Sequence, residues 1–256
     1  MQCDGDAQPP DDEYWRALGG LAPSLERLEL ECDGRGRVPA PVSELIALTA
    51  LALPWVLQGV AEPPGDVAQG PADPLGPLRE LPQLARLEYC PAGVPTPNTI
   101  TALTALRELR VRVVDTKAPA VEAGAYLGRL KRLEVMSEWQ YRPCPFLADA
   151  DARRCVVEPL RGATALTSLA FLAEGEFSPR LSILHLNTAR VDALLAGKPA
   201  LRRFELQKEH AHVLDLDLAA LRARHPAVEF VLGGSEWWLP PRLEEARRRR
   251  RVAGWR

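Results

Sequence analysis

The sequence has few of the features that mark secreted, membrane-spanning or metal-binding chains. Its five cysteines are widely spaced, odd in number and without a CxxC pair, which argues against a disulfide framework and a cysteine zinc site. No apolar run approaches the roughly 18 residues of a membrane span. The acidic N-terminal segment resembles neither a secretory signal nor a transit peptide. These absences predict a cytoplasmic chain that does not span a membrane.

An excess of one charge sign is lacking as well. Lys and Arg number 32 and Asp and Glu number 34, so the formal net charge is −2, which argues against a general nucleic-acid binder. The P-loop, GxGxxG, GxSxG and HExxH motifs are missing. His210 and His212 lie near Glu209 and Asp215 but have no further spaced partner. We therefore expect no catalytic residues, no metal and no cofactor.

Leucine, in contrast, is abundant, with 40 of the 256 residues. Many leucines fall in the pattern L-x-x-L-x-L, whose last two positions other apolar residues sometimes occupy. Successive copies are 23, 36, 22, 24, 36 and 35 residues apart, so three steps match the leucine-rich-repeat period of about 20–29 residues. The seven copies start at Leu25, Leu48, Leu84, Leu106, Leu130, Leu166 and Leu201.

A second pattern precedes several copies, in which apolar residues are three apart, as in Ile100, Leu103 and Leu106. This spacing is typical of a short helical or 3₁₀ segment, and the alternation that follows is typical of a strand. The chain therefore resembles the leucine-rich-repeat family, of an irregular, intracellular, plant or algal type. The resemblance implies an α/β solenoid: a curved parallel sheet with short helical or 3₁₀ segments on its convex side. An amphipathic helical bundle is the alternative, which the 24 prolines disfavour.

The domain prediction has three parts: a cap at 1–20, a solenoid of seven or eight irregular repeats at 21–234, and a basic cap or tail at 235–256. The longer steps between copies predict insertions near 55–77, 138–159 and 173–200.

The end of the solenoid is less regular than its middle. A degenerate last copy follows His225, and we expect Phe230 and Leu232 to point into its core. The segment LSILHL at 181–186 could form a further strand, and its register stays open. The family's asparagine in the turn after each strand is also missing here, which predicts loosely formed turns.

The residues between the motif leucines are expected on the concave face, where charges alternate from one repeat to the next. Arg110 and Arg112 lie in such rows. Opposite charges on neighbouring strands favour pairing, so the face has two interpretations: a self-satisfied solvated surface, or a charged docking surface that includes these two arginines. The two clearest rows are Arg86–Glu108–Arg132 and Glu88–Arg110–Glu134.

The insertions are the stronger binding candidates because extra residues in long repeats gather on one face. Trp55 opens the Pro- and Gly-rich first insertion, and Trp139 and Tyr141 lie among prolines in the second. Aromatic side chains are frequent energetic anchors of interfaces. We expect these rings at one loop edge of the solenoid.

The sequence thus predicts a non-catalytic, monomeric scaffold that presents a concave sheet and a loop edge to a protein partner of unknown identity. Two alternatives come from resemblance. One is the substrate-binding part of an F-box-type ubiquitin-ligase adaptor, although no F-box is recognised here. The other is an axonemal protein, if the source is a ciliated alga. The run Arg247–Arg251 leaves nuclear import open.

Overall fold

The computed structural model describes part of the chain, which includes most of the repeat motifs. Several sequence-stretches named above lie outside it: the two predicted caps apart from Gly20, the segment 181–186, and the histidine pair at 210 and 212. The described residues are 20, 22–29, 35–36, 38, 40–57, 73, 75–91, 98–113, 121, 124–138, 160–174, 188–206 and 216–232.

The described repeats form one open sheet of parallel strands. Eight strands follow one another in chain order, and the two-residue strand β2 pairs with β3 outside this path. This confirms the predicted parallel arrangement and excludes the helical bundle. The strands are β1 (Arg27–Glu29), β2 (Arg35–Gly36), β3 (Ala50–Leu57), β4 (Arg86–Pro91), β5 (Glu108–Val113), β6 (Arg132–Glu138), β7 (Ser168–Glu174), β8 (Arg203–Leu206) and β9 (Glu229–Leu232).

The strand register follows the leucine motif. Leu87 on β4 pairs with Leu109 on β5, which pairs with Leu133 on β6. Strand β3 departs from this regularity, because its register with β4 shifts between Leu53 and Val56. The strand also continues to Leu57. The predicted start of the insertion at residue 55 is therefore wrong, because Trp55 belongs to the strand.

Short helical segments lead into the strands, as the three-residue spacing predicted. Their apolar side chains fall on one side because residues i and i+3 nearly eclipse in a 3₁₀ turn. The 3₁₀ segments are Ala40–Glu44, Gly76–Glu80 and Ala125–Arg129, and the α-helices are α1 (Asn98–Ala102), α2 (Thr188–Ala196) and α3 (Leu218–Arg224). No helix among the described residues is long and apolar enough to cross a membrane.

One continuous hydrophobic core runs between the lead-in segments and the sheet. The motif leucines Leu106, Leu109 and Leu133 are fully buried in it. Leucine-rich repeats cannot bury these side chains singly, so stacking supplies the core. The last repeat is partly as expected, because Phe230 is buried whereas Leu232 is exposed. Leu232 lies at the end of β9, the last described strand, opposite Leu206 of β8.

A backbone ladder joins consecutive repeats immediately before the strands. The carbonyl oxygen of Arg107, for example, accepts hydrogen bonds from the backbone N–H groups of Lys131 (2.8 Å) and Arg132 (3.1 Å). The same double acceptance recurs from β1 to β8, so these main-chain groups fix the strand starts whatever side chains they carry. We call these residues the strand-start positions. They are Glu26, Thr49, Ala85, Arg107, Lys131, Thr167 and Arg202.

Candidate functional site

The first outward row of the sheet carries half-exposed ion pairs, as the alternating charges predicted. Arg86 Nη2 lies 3.3 Å from Glu108 Oε1, and their side chains are 39% and 19% exposed. At the other end of the sheet, Arg203 pairs with Glu205 at 3.1 Å and with Glu229 at 3.5 Å. The more exposed pairs, Arg86–Glu108 and Arg203–Glu229, contribute little to stability because solvent screens them. Their main effect is to keep the face neutral.

The second outward row is buried, which the sequence did not predict. Arg110 lies between two carboxylates, with Nη1 3.4 Å from Glu88 Oε2 and Nη2 2.7 Å from Glu134 Oε1. Arg112 Nε lies 3.6 Å from Glu88 Oε1, and its Nη2 lies 3.8 Å from the sulfur of Met136. Two positive and two negative charges therefore balance within a cluster that we call the central charge cluster: Glu88, Arg110, Arg112 and Glu134.

Burial changes the interpretation of Arg110 and Arg112 as candidate contact residues. The expectation was of exposed pairs, yet Arg110 is 4% exposed and Arg112 is 5% exposed. A charge with so little accessible surface is held by its ion-pair partners, since an uncompensated buried charge costs several kcal/mol. The structure thus brings these two predicted site residues together, and both form ion pairs with carboxylates of the same sheet.

The predicted aromatic residues are not brought together within the described part of the chain. Trp55 is a residue of strand β3, and its side chain is not described. Trp139 and Tyr141 lie outside the described residues. The loop edge formed by these three residues stays a prediction.

Cationic side chains occupy strand-start positions in the second half of the sheet. Arg107, Lys131 and Arg202 are exposed there, and exposed Thr167 lies between the last two. Arg107 Nη1 donates to the carbonyl oxygens of Thr104 (2.8 Å) and Leu106 (2.9 Å). Arg202 repeats this arrangement with the carbonyls of residues 199 and 201. We call the set Arg107, Lys131, Thr167 and Arg202 the strand-start edge, for which the sequence alone predicted no role.

Lys198 is a buried cation in a position that other repeats fill with apolar residues. It precedes Leu201 by three residues, as Leu45 precedes Leu48 and Leu103 precedes Leu106. Its side chain is 5% exposed, and Nζ donates to the carbonyl oxygen of Leu194 at 2.9 Å. This carbonyl belongs to the last turn of α2, where a cation is favourable. Burial lowers the pKa of Lys198 to about 8.

Burial also alters two groups near the first outward row. It raises the pKa of Glu205, and the hydrogen bond and charge of Arg203 partly oppose that effect. It lowers the pKa of Arg132, against the opposing influence of the carboxylates of Glu108 and Glu134. Both groups lie among oppositely charged neighbours in the sheet, so these shifts reflect packed ion pairs.

Two polar clusters outside the sheet join neighbouring repeats. Asp192 of α2 contacts Arg224 through Oδ2 and His225 through Oδ1, the latter at 2.7 Å. The second cluster, centred on Asp73, holds the start of α1: its carboxylate accepts from Thr99 and pairs with Arg79. No group of three or more metal-ligating side chains occurs among the described residues. The contacts of Asp192 and Asp73 link neighbouring lead-in segments.

Comparison with known proteins gives remote structural matches. No protein-family model and no curated protein matches the chain. Among solved structures, an internalin (InlF) of Listeria monocytogenes is similar at 16% identity and a TM-score of 0.41, over 87% of this chain and 61% of that one. Internalin C2 of the same organism is similar at 13% identity and a TM-score of 0.35, over 83% of each chain. The chain thus spans about three fifths of the first internalin.

The register of the repeats is the observation that assigns the fold. Eight parallel strands follow one another in chain order, with leucines aligned across β1 and β3–β7 and phenylalanines at the same position on β8 and β9. Stacked leucine-rich repeats produce this arrangement. The chain therefore has the fold of a leucine-rich-repeat solenoid.

Proposed function

We propose that the chain is a non-catalytic, monomeric scaffold of the cytoplasm that binds a protein partner. The supporting observation is the single sheet of eight parallel strands in continuous register over one core. Such a surface is formed before the partner arrives, so binding does not include the cost of ordering it. Repeat solenoids commonly use extended surfaces of this kind for binding.

The loop edge is the first surface to test in this proposal. Trp55, Trp139 and Tyr141 can each bury a large apolar area at small entropic cost. The concave charges are less suitable, because Arg110 and Arg112 are buried among carboxylates. A partner would have to replace those ion pairs before it gained any contact of its own.

The test is affinity capture of the tagged chain followed by mass spectrometry. We expect Trp55→Ala combined with Trp139→Ala to reduce recovery of the partner at unchanged melting temperature. The matched control is Arg86→Ala combined with Glu108→Ala, which removes a half-exposed ion pair and should leave recovery close to wild type. Arg110 and Arg112 are unsuitable as controls, because removal of either arginine leaves a buried carboxylate without one of its ion-pair partners.

The outcome also separates the alternatives. Equal losses in the tryptophan and control variants would move the site away from the loop edge. Recovery of a cullin-linker protein would favour the ubiquitin-ligase adaptor, and recovery of tubulin or dynein components would favour the axonemal role. Absence of any reproducible partner would count against the scaffold itself.

A further inference from the structure

The strand-start edge combines exposed positive charge with a lack of nearby negative charge. In the described part of the chain, no carboxylate lies within 4.0 Å of the charged groups of Arg107, Lys131 or Arg202. Arg86, in contrast, has one such carboxylate, and Arg110 and Arg203 each have two. The strand-start cations are therefore not neutralised within the sheet.

The positions of these cations follow from the sheet topology. Strands β5, β6, β7 and β8 are consecutive neighbours, and adjacent strands are about 4.8 Å apart. Arg107 and Lys131 therefore start adjacent strands, and Arg202 starts the strand two places beyond Lys131. Together the three charges extend over about 14 Å, close to the length of four residues of extended peptide.

Two of the three cations are held in place before any ligand binds. One terminal nitrogen of Arg107 and one of Arg202 each donate to two main-chain carbonyls of their own lead-in turns. A guanidinium group has five N–H donors in a fixed plane, so the remaining donors can still serve an external acceptor. Fixing the side chain beforehand lowers the entropy lost when a carboxylate binds.

We propose that the strand-start edge binds an acidic segment of a protein partner, with carboxylates of Asp or Glu residues placed over Arg107, Lys131 and Arg202. This rests on the proposed scaffold function and adds the chemistry of the partner. Charge complementarity favours it, because the positive strip has no carboxylates of its own. Nucleic acid is disfavoured, because the strip is short and the strand-start position of β1 carries exposed Glu26, where a phosphate backbone needs continued positive charge.

The experiment measures binding of a fluorescein-labelled decaglutamate peptide to the purified full chain by fluorescence anisotropy at low salt. Lys131→Glu combined with Arg202→Glu should weaken binding at least tenfold. The matched control is Arg27→Glu combined with Arg222→Glu, which makes the same change in net charge at exposed positions elsewhere. It should weaken binding less than threefold. Melting curves of all three proteins must coincide.

Three results would overturn the inference: no binding of decaglutamate by the wild-type chain, equal losses in test and control variants, or tighter binding of a single-stranded decanucleotide than of the peptide. The proposed scaffold function fails separately. If the peptide does not bind but partner capture depends on the loop-edge tryptophans, the acidic-segment inference falls and the scaffold stands. If the peptide binds as expected but no partner is captured, the scaffold function falls, and what stands is that the strand-start edge binds carboxylates.

Discussion

Arg110 Nη2 lies 2.7 Å from Glu134 Oε1 on the neighbouring strand, and the two side chains are 5% and 0% exposed. The register places Arg110 directly opposite Glu134, and Glu88 flanks the same guanidinium from the other side. A charge in this position loses most of its hydration, so its stability depends on its partners. Removal of one partner therefore leaves an uncompensated buried charge, whereas the intact central charge cluster contributes little net stability.

This relationship gives the first prediction. Glu134→Ala should reduce the free energy of unfolding by about 3–5 kcal/mol, because it leaves Arg110 buried beside an empty position. Arg86→Ala, which breaks a half-exposed pair, should cost about 0–1 kcal/mol. Urea unfolding monitored by circular dichroism measures both.

A double variant distinguishes a missing charge partner from a packing defect. Arg110→Met combined with Glu134→Met removes both charges and keeps much of the side-chain volume. We expect it to be more stable than Glu134→Ala, because Arg112 and Glu88 then balance each other, whereas Glu134→Ala leaves two buried positive charges against one negative charge. If the double variant is no more stable than the single one, charge compensation is not what holds the cluster.

The second prediction concerns the inward leucines. Leu109 and Leu133 are fully buried and pair across β5 and β6. Each change to alanine should cost about 2–5 kcal/mol, through lost transfer free energy and the cavity left behind. Ile46→Ala is the control, because Ile46 is 59% exposed and should cost about 0.5 kcal/mol or less. Similar denaturation midpoints for all three variants would contradict the assignment of the core.

The sequence predicted the strands well, because the leucine positions are both periodic and apolar. Leu87, Leu109 and Leu133 recur with the motif and pair in that register. The depth of the central charge cluster was not predictable, since alternation identifies the face of a side chain and not how far long neighbours bury one another. Arg110 and Glu134 differ little in sequence context from Arg86 and Glu108, yet they are much less exposed.

The strand-start edge was missed for a different reason. The residues expected on the concave face flank and separate the last two motif positions, whereas Arg107, Lys131 and Arg202 each follow the first leucine of a motif directly. They form a row only because the main-chain ladder aligns that position in successive repeats. Lys198, in contrast, had a visible signal: a lysine at a position where Leu45 and Leu103 stand in other repeats.

The third prediction tests the polar cluster at the start of α1. Asp73 accepts hydrogen bonds from the backbone N–H of Leu75 at 3.0 Å and of Thr99 at 3.3 Å, so it joins two repeats. Asp73→Ala should cost about 1–3 kcal/mol because several donors lose their acceptor at once. Asp73→Asn keeps one acceptor oxygen and should cost less. If the two variants unfold at the same urea concentration, hydrogen bonding by this carboxylate is not important for stability.

The fourth prediction concerns the pH dependence of stability. Burial lowers the pKa of Lys198 to about 8 from an ordinary value of 10.5. Below pH 8 the amine is charged in both the folded and the unfolded chain. Between about pH 8 and 10.5 the unfolded chain binds the proton and the folded chain does not, so stability rises with pH. Below that window, the buried charge makes the folded chain less stable than it would be with a neutral amine at this position.

Lys198→Met is the matched variant, because methionine fills a similar volume without a charge. The difference in unfolding free energy, variant minus wild type, cancels the other groups that titrate at alkaline pH. We expect this difference to favour the variant at pH 7 and to decrease as the pH rises from 8 to 10.5. Loss of the hydrogen bond to the Leu194 carbonyl offsets part of the stability that Lys198→Met gains. In the variant, this acceptor at the end of α2 has lost its donor. A difference that stays constant from pH 7 to 10.5 would show that Lys198 titrates alike in the folded and unfolded chains.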